Sequence, residues 1–133
     1  LILHKVDLSG IILRPNMLLS GPQSREKISS EEVSHKTLEC LKNSVPSDVP
    51  GIAFLSGGQS ESEATENLNL INKNNNTNFI MTYSYGRALQ QSALKVWSKN
   101  IKDIEGTQKT FNHRARMCTL AAQGKWVSEL ESK

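Results

Sequence analysis

A short apolar run gives way to an amphipathic one three times along the chain, and this alternation narrows the fold more than any other feature. The first apolar run, VDLSGIILR (residues 6–14), reads as a strand, and a loop rich in Pro, Ser and Gly follows it. SSEEVSHKTLECLKNSV then reads as a helix: Ser29 and Glu32 fit a capping box, and Val33, Thr37, Cys40, Leu41 and Ser44 recur on one face. PSDVPG breaks the pattern. GIAFLSGG (51–58) is a second strand running into a Ser-Gly-Gly turn, with a second capping box at Ser60 and Glu63. Ala64, Leu68 and Ile71 line the helix behind it, which ends in the Asn-rich NKNNNTN. FIMTYSYGR (79–87) is the third strand and turn. Its helix carries Leu89, Ala93 and Trp97 on one side, and a last amphipathic helix spaces Ile104, Phe111, Ala115, Cys118 and Ala122.

Strand, helix, strand, helix, strand, helix is the order of a parallel sheet with crossover helices, so the fold class is α/β. The strands are apolar on both parities, which predicts a sheet covered on both faces. Two architectures fit, an open doubly wound sheet or part of a (β/α)8 barrel. A complete barrel takes about 250 residues, and the chain has 133. It also begins at Leu1, inside a strand-like region and without an initiating Met, so it reads as a piece of something longer.

Charge and cysteine usage remove several function classes. The 16 Lys and Arg are interspersed with 13 acidic residues, without the basic stripe that nucleic-acid binding needs. Cys40 and Cys118 are far apart and lack metal-ligand spacing, which predicts free thiols in a reducing cytosol. The Leu- and Ile-rich opening is interrupted by Lys5, Asp7, Gly10, Arg14 and Pro15, so it is neither a membrane span nor a signal peptide.

In parallel α/β folds function collects where strands end. Two ends here share a chemical character. LSGGQS sets Ser56, Gly57 and Gly58 between a strand and a capped helix, where backbone N–H groups and a helix N-terminus suit an anion. YSYGRA sets Ser84, Gly86 and Arg87 in the same relation to the next helix, and Arg87 adds a planar fork for phosphate oxygens. Such turns on consecutive strands support one another as a phosphate site. No G-x-x-x-x-G-K-[ST] is present to indicate a nucleoside triphosphate. The remaining candidates have plainer readings. His4, His35 and His113 lack partners at ligand spacing, so no metal is expected, and HRARM (113–117) reads as a solvated helix face carrying a core Met. Glu61 and Glu63 suit a helix's first turn, and Tyr85 lines a pocket or packs.

Four stretches, IILRPNM, GIAFLSGGQSESEATENLNLINK, YSYGRALQQSALKVW and HRARMCTLAAQGKW, resemble class I fructose-bisphosphate aldolase from end to end of the chain. The ending is most similar to the bacterial members. The resemblance implies the C-terminal part of a TIM (β/α)8 barrel, about its last three βα units plus a terminal helix, with all of residues 1–133 in one partial domain. It implies a cytoplasmic glycolytic enzyme without cofactor, usually tetrameric or dimeric, that cleaves fructose 1,6-bisphosphate to dihydroxyacetone phosphate and glyceraldehyde 3-phosphate. It also implies that Ser56, Gly57, Gly58, Ser84, Gly86 and Arg87 hold a substrate phosphate. The family motif reads like L-L-K-P-N-M, with a lysine that forms a Schiff base, and the matching residue here is Arg14. A guanidinium stays protonated and delocalised, so it is a very poor amine nucleophile. Lys5 and Lys95 are not convincing substitutes. Two expectations follow. One is an aldolase segment that is inactive alone and needs the missing N-terminal half of the barrel. The other is a degenerate, non-catalytic paralogue that at most binds sugar phosphate or acts as an interaction partner. Gly10, Ile12 and Arg14 share one parity, so if Arg14 points into the barrel then Ile11 and Leu13 face the helices, and Pro15 holds Arg14 extended.

Overall fold

A computed structural model of the chain describes residues 2–132. Three parallel strands, β1 (Ile12–Leu13), β2 (Gly51–Phe54) and β3 (Ile80–Tyr83), lie side by side in chain order. Four helices follow them: α1 (Ser30–Ser44), α2 (Glu61–Lys73), α3 (Arg87–Lys99) and α4 (Ile104–Ala122). Single 3-10 turns occupy Ile2–His4, Leu8–Gly10 and Ser128–Ser132. The alternating order expected from the hydrophobic pattern is therefore present.

The register determines which side of the sheet each residue serves. Ile12, Gly51 and Ile80 are paired neighbours, as are Ile52 and Met81 in the next row. Ile52, Phe54 and Met81 are buried beneath the helices, whereas Ile12 and Ile80 on the opposite parity stand 70% and 75% exposed. The helices thus cover one face only, contrary to the two-sided cover expected from the strands' composition. A doubly wound sheet carries helices on both faces, while a barrel wall carries them on its outside. The layering here is that of a wall.

The first strand is much shorter than the nine residues expected. Asp7 accepts hydrogen bonds from the backbone N–H of Ser9 (3.0 Å) and from its hydroxyl (2.7 Å), which turns Leu8–Gly10 into a 3-10 turn. An Asx turn of this kind competes with the strand ladder. Beyond Leu13 the chain stays beside β2, because the Leu55 N–H donates to the Pro15 carbonyl at 2.9 Å.

Caps define the helix starts. Ser60 accepts from the Glu63 N–H (3.2 Å) while its own N–H donates to the Glu63 carboxylate (2.8 Å), the complete capping box expected for α2. That backbone donor, together with Lys27 at 3.1 Å, holds the Glu63 carboxyl below the usual range. In α1 the Ser29 side chain accepts from the Glu32 N–H, but the Glu32 carboxylate pairs with Lys36 one turn on, at 2.8 Å. On α1 the buried stripe is Val33, Ser34, Thr37, Leu38 and Leu41; Cys40 and Ser44, expected on that face, are exposed. Ala64, Leu68 and Ile71 of α2 are fully buried. On α3 only Ala93 of the expected stripe is buried, and Trp97 is half exposed. On α4 Met117, Cys118 and Ala121 reach the core, while Ile104 and Phe111 remain exposed.

One α4 residue departs sharply from its expected place. Arg114, read as part of a solvated face, is 6% exposed. Its guanidinium donates to both oxygens of Glu131 (2.8 and 2.7 Å) and to the hydroxyl of buried Thr65 (3.0 Å). The Trp126 indole N–H donates to the same carboxylate at 2.9 Å. Burial opposes both charges, yet the pair prevails: the Arg114 pKa is raised and that of Glu131 is lowered. The segment after α4 is thereby locked onto the helices.

Candidate functional site

All six candidate phosphate residues, and Arg14, sit at the same ends of the three strands. Backbone bonds hold these ends together: Leu55 N–H to the Pro15 carbonyl at 2.9 Å, and Ser84 N–H to the Phe54 carbonyl at 2.8 Å. After β2, the Gln59 N–H donates to the Ser56 carbonyl (3.2 Å), closing a four-residue turn over Ser56–Gln59. Gly58 occupies its third position with φ of +80°, a left-handed conformation that strains any residue with a Cβ. A Cβ at Gly57 would lie 3.0 Å from the end of the Leu55 side chain, so any larger residue there requires Leu55 to shift. The Asn16 side chain donates to the Gly57 carbonyl at 3.1 Å, so the Asn of RPNM pins the turn from the neighbouring strand. The sequence reading had given Asn16 no role. Its place directly after Pro15, at the end of a strand, was the available signal.

After β3, Ser84 and Gly86 lead into α3, whose first residue is Arg87. Side chains cap α1, α2 and α4 at Ser29, Ser60 and Asp103, but α3 begins at Gly86 with no side-chain cap. The Leu89 N–H donates to the Gly86 carbonyl at 3.0 Å, and no side chain caps the Arg87 and Ala88 N–H groups before it. The start of α2 is tied to α3 by Glu61, which accepts from the Ser92 N–H (2.8 Å) and hydroxyl. This explains Glu61 without catalysis and fixes α3 relative to the β2 turn. Tyr85 packs: it is buried, its hydroxyl donates to the Ala64 carbonyl at 2.8 Å, and burial pushes its phenol pKa up.

Ser56, Gly58 and Arg87 line one cleft of about 680 Å³ with Gln59, Gln91, Leu94, Lys95 and Ser98. Lys95, not a convincing substitute for the Schiff-base lysine, is nonetheless among the lining residues. Arg87, Gln91 and Lys95 follow at four-residue steps, which brings them onto one side of α3. Gly57, Ser84 and Gly86 are not among its lining residues, and neither is Arg14.

Arg14 is exposed rather than buried. Its Nε donates to the Ser84 Oγ and its Nη2 to the Ser84 carbonyl, both at 2.9 Å. Arg14 is therefore a strut between the ends of β1 and β3. Among the described residues neither Arg14 nor Arg87 is in an ion pair, and no group of three His, Cys, Asp or Glu side chains comes together to hold a metal.

The family model described as glycolytic, fructose-bisphosphate aldolase class-I, matches residues 1–133. The chain belongs to the class I fructose-bisphosphate aldolase family. A non-muscle fructose-bisphosphate aldolase of Lethenteron camtschaticum is 47% identical over 125 residues, covering 93% of this chain and 34% of the relative. A probable class 1 fructose-bisphosphate aldolase of Xanthomonas axonopodis pv. citri is 43% identical over 124 residues, 92% of this chain and 37% of the relative. The chain spans about a third of the length of these aldolases. A solved Plasmodium falciparum aldolase, in a ternary complex with TRAP and a small-molecule inhibitor, superposes with a TM-score of 0.87 at 39% identity. That match covers 92% of this chain and 35% of the solved one. The three-stranded parallel sheet with helices on one side accords with part of the aldolase barrel. No helix among the described residues is long and apolar enough to cross a membrane.

Proposed function

We propose that this chain is the phosphate-binding C-terminal part of a class I aldolase barrel, one domain of about three βα units and a closing helix. It holds a sugar phosphate, fructose 1,6-bisphosphate or dihydroxyacetone phosphate, and forms no Schiff base itself. The observation that carries the phosphate reading is the convergence of the Ser56–Gly58 turn, Arg87 and the uncapped start of α3 on one cleft. Backbone N–H groups of the glycine turn and of α3, including those beside Gly86, supply fixed donors. Arg87 supplies a permanent charge, and the Ser56 and Ser84 hydroxyls complete the set.

Arg14 supports the second half of the proposal. A Schiff base begins with a neutral amine attacking a carbonyl carbon, which a buried lysine provides once its pKa is depressed. A guanidinium does not lose its proton in that range, and two of its nitrogens are engaged by Ser84. Aldol cleavage by this segment alone is therefore not expected. The same residue favours the second reading, a non-catalytic aldolase relative that retains ligand binding. The exposed Ile12 and Ile80 form the open face onto which the N-terminal part of a barrel would close in a cytoplasmic protein.

Titration of the full chain with dihydroxyacetone phosphate, followed by calorimetry, tests the phosphate site. Arg87→Gln is expected to weaken binding by about tenfold or more, the loss of a charged hydrogen-bond donor. Unchanged affinity in that variant would remove Arg87 from the site and with it the phosphate reading.

A further inference from the structure

Arg14 also changes which ligands the site prefers. We infer that it makes the site select phosphorylated hydroxy acids, which carry a carboxylate as well as a phosphate, over sugar phosphates whose second group is a neutral carbonyl or hydroxyl. The inference rests on the phosphate reading above and extends it to the other end of the ligand.

A guanidinium has five N–H donors, and Ser84 takes two, one from Nε and one from Nη2. Three remain, on a side chain that is exposed and, among the described residues, free of any carboxylate partner. The two bonds to Ser84 already orient the plane of the fork, so little rotamer freedom is left to lose on binding. Ser84 responds in turn. Its Oγ accepts from Arg14, so its own proton is left to donate, and the charged donor behind it strengthens that bond. Arg14 thus bonds Ser84, Arg87 follows three residues on at the start of α3, and among the described residues neither cation is in an ion pair.

A neutral carbonyl presents one weak acceptor to such a fork and leaves the charge uncompensated. A carboxylate presents two coplanar oxygens and cancels it. In the place where an amine would attack a carbonyl, a fixed guanidinium best pairs with the corresponding acid. Lysine would serve this role poorly, because its ammonium is a strongly hydrated point charge without the fork.

Calorimetry at one fixed ionic strength on the full chain tests this with matched pairs of probes. 3-Phosphoglycerate is compared with glycerol 3-phosphate, and 6-phosphogluconate with sorbitol 6-phosphate, so that the spacing between the two groups also varies. In at least one pair the acid is expected to bind about tenfold or more tightly than the alcohol, the gain from a charge-assisted bidentate contact. Arg14→Gln should bring the two within about threefold of each other by removing that contact, and Arg14→Lys, which keeps the charge, should remove most of the preference. Arg87→Gln should weaken both members of a pair alike. Circular dichroism of each variant verifies that it is folded. Equal affinities in both pairs, or a preference that survives in Arg14→Gln and Arg14→Lys, would overturn the inference while leaving the phosphate site standing. Failure of every phosphate compound to bind would instead overturn the phosphate reading and this inference with it.

Discussion

Replacing Arg114 with methionine keeps the apolar stem and removes the charge, which isolates the pair with Glu131. In the native protein the guanidinium makes three hydrogen bonds, two to Glu131 and one to Thr65. The Arg114 side chain is 8% exposed and that of Glu131 is 26% exposed, so this pair is only weakly screened. Removing one partner of a buried pair costs about 3–5 kcal/mol; the partial exposure of Glu131 and its remaining bond to Trp126 place the expected loss near the lower end, about 3 kcal/mol. At about 4 °C per kcal/mol for a domain of this size, the midpoint of thermal unfolding should fall by about 12 °C. The pH dependence gives a second reading. The Glu131 pKa is depressed in the folded state, so its contribution is present above the unfolded value of about 4.3 and is lost as pH falls through the folded value. The difference between native and variant proteins should therefore be largest near neutrality and shrink in acid. Scanning calorimetry of the full chain across that range is the assay. A loss below about 1 kcal/mol at neutral pH, or one that is constant into acid, would refute the reasoning.

Three further substitutions probe the frame of the site. Ser60→Ala removes the α2 cap and should cost about 1 kcal/mol in urea unfolding. Gly58→Ala places a Cβ at φ of +80° where space is adequate, the nearest atom being 3.6 Å away, so its cost is conformational, about 1–2 kcal/mol, with weakened phosphate affinity as the turn relaxes. Tyr85→Phe loses the bond to the Ala64 carbonyl and should cost about 1 kcal/mol. In the native protein, spectrophotometric titration should find the Tyr85 phenol still protonated at about pH 10, where exposed tyrosines ionise.

What could be read from the sequence was whatever local chemistry determines. The capping box at Ser60 and Glu63 and the stripe of Ala64, Leu68 and Ile71 depend on residues within two turns of one another, and both are present. The turn glycines were equally legible, because a strand entering a helix through Ser-Gly-Gly leaves few conformations. Errors arose where a nearby alternative or a distant partner decided the outcome. Asp7 captured Ser9 and shortened the first strand. Cys40 was placed on the core stripe of α1, but Val33, Thr37 and Leu41 already continue it and Cys40 falls outside. Arg114 carries no local sign of burial, since Glu131 lies 17 residues further on and Thr65 lies 49 residues earlier. The Arg14–Ser84 contact spans 70 residues and closes only when β1 and β3 flank the same central strand. The resemblance to aldolases identified Arg14 as a departure, while its use as a strut required the fold.

The central claim, a phosphate site that has lost its carbonyl chemistry, is tested most directly by borohydride trapping. The full chain, supplemented with the complementary N-terminal part of an aldolase barrel, is incubated with dihydroxyacetone phosphate, reduced, and mapped by mass spectrometry. The account predicts no covalent adduct on the native chain and a reduced adduct at position 14 in Arg14→Lys. An adduct on the native chain at any residue, Lys95 included, would contradict it.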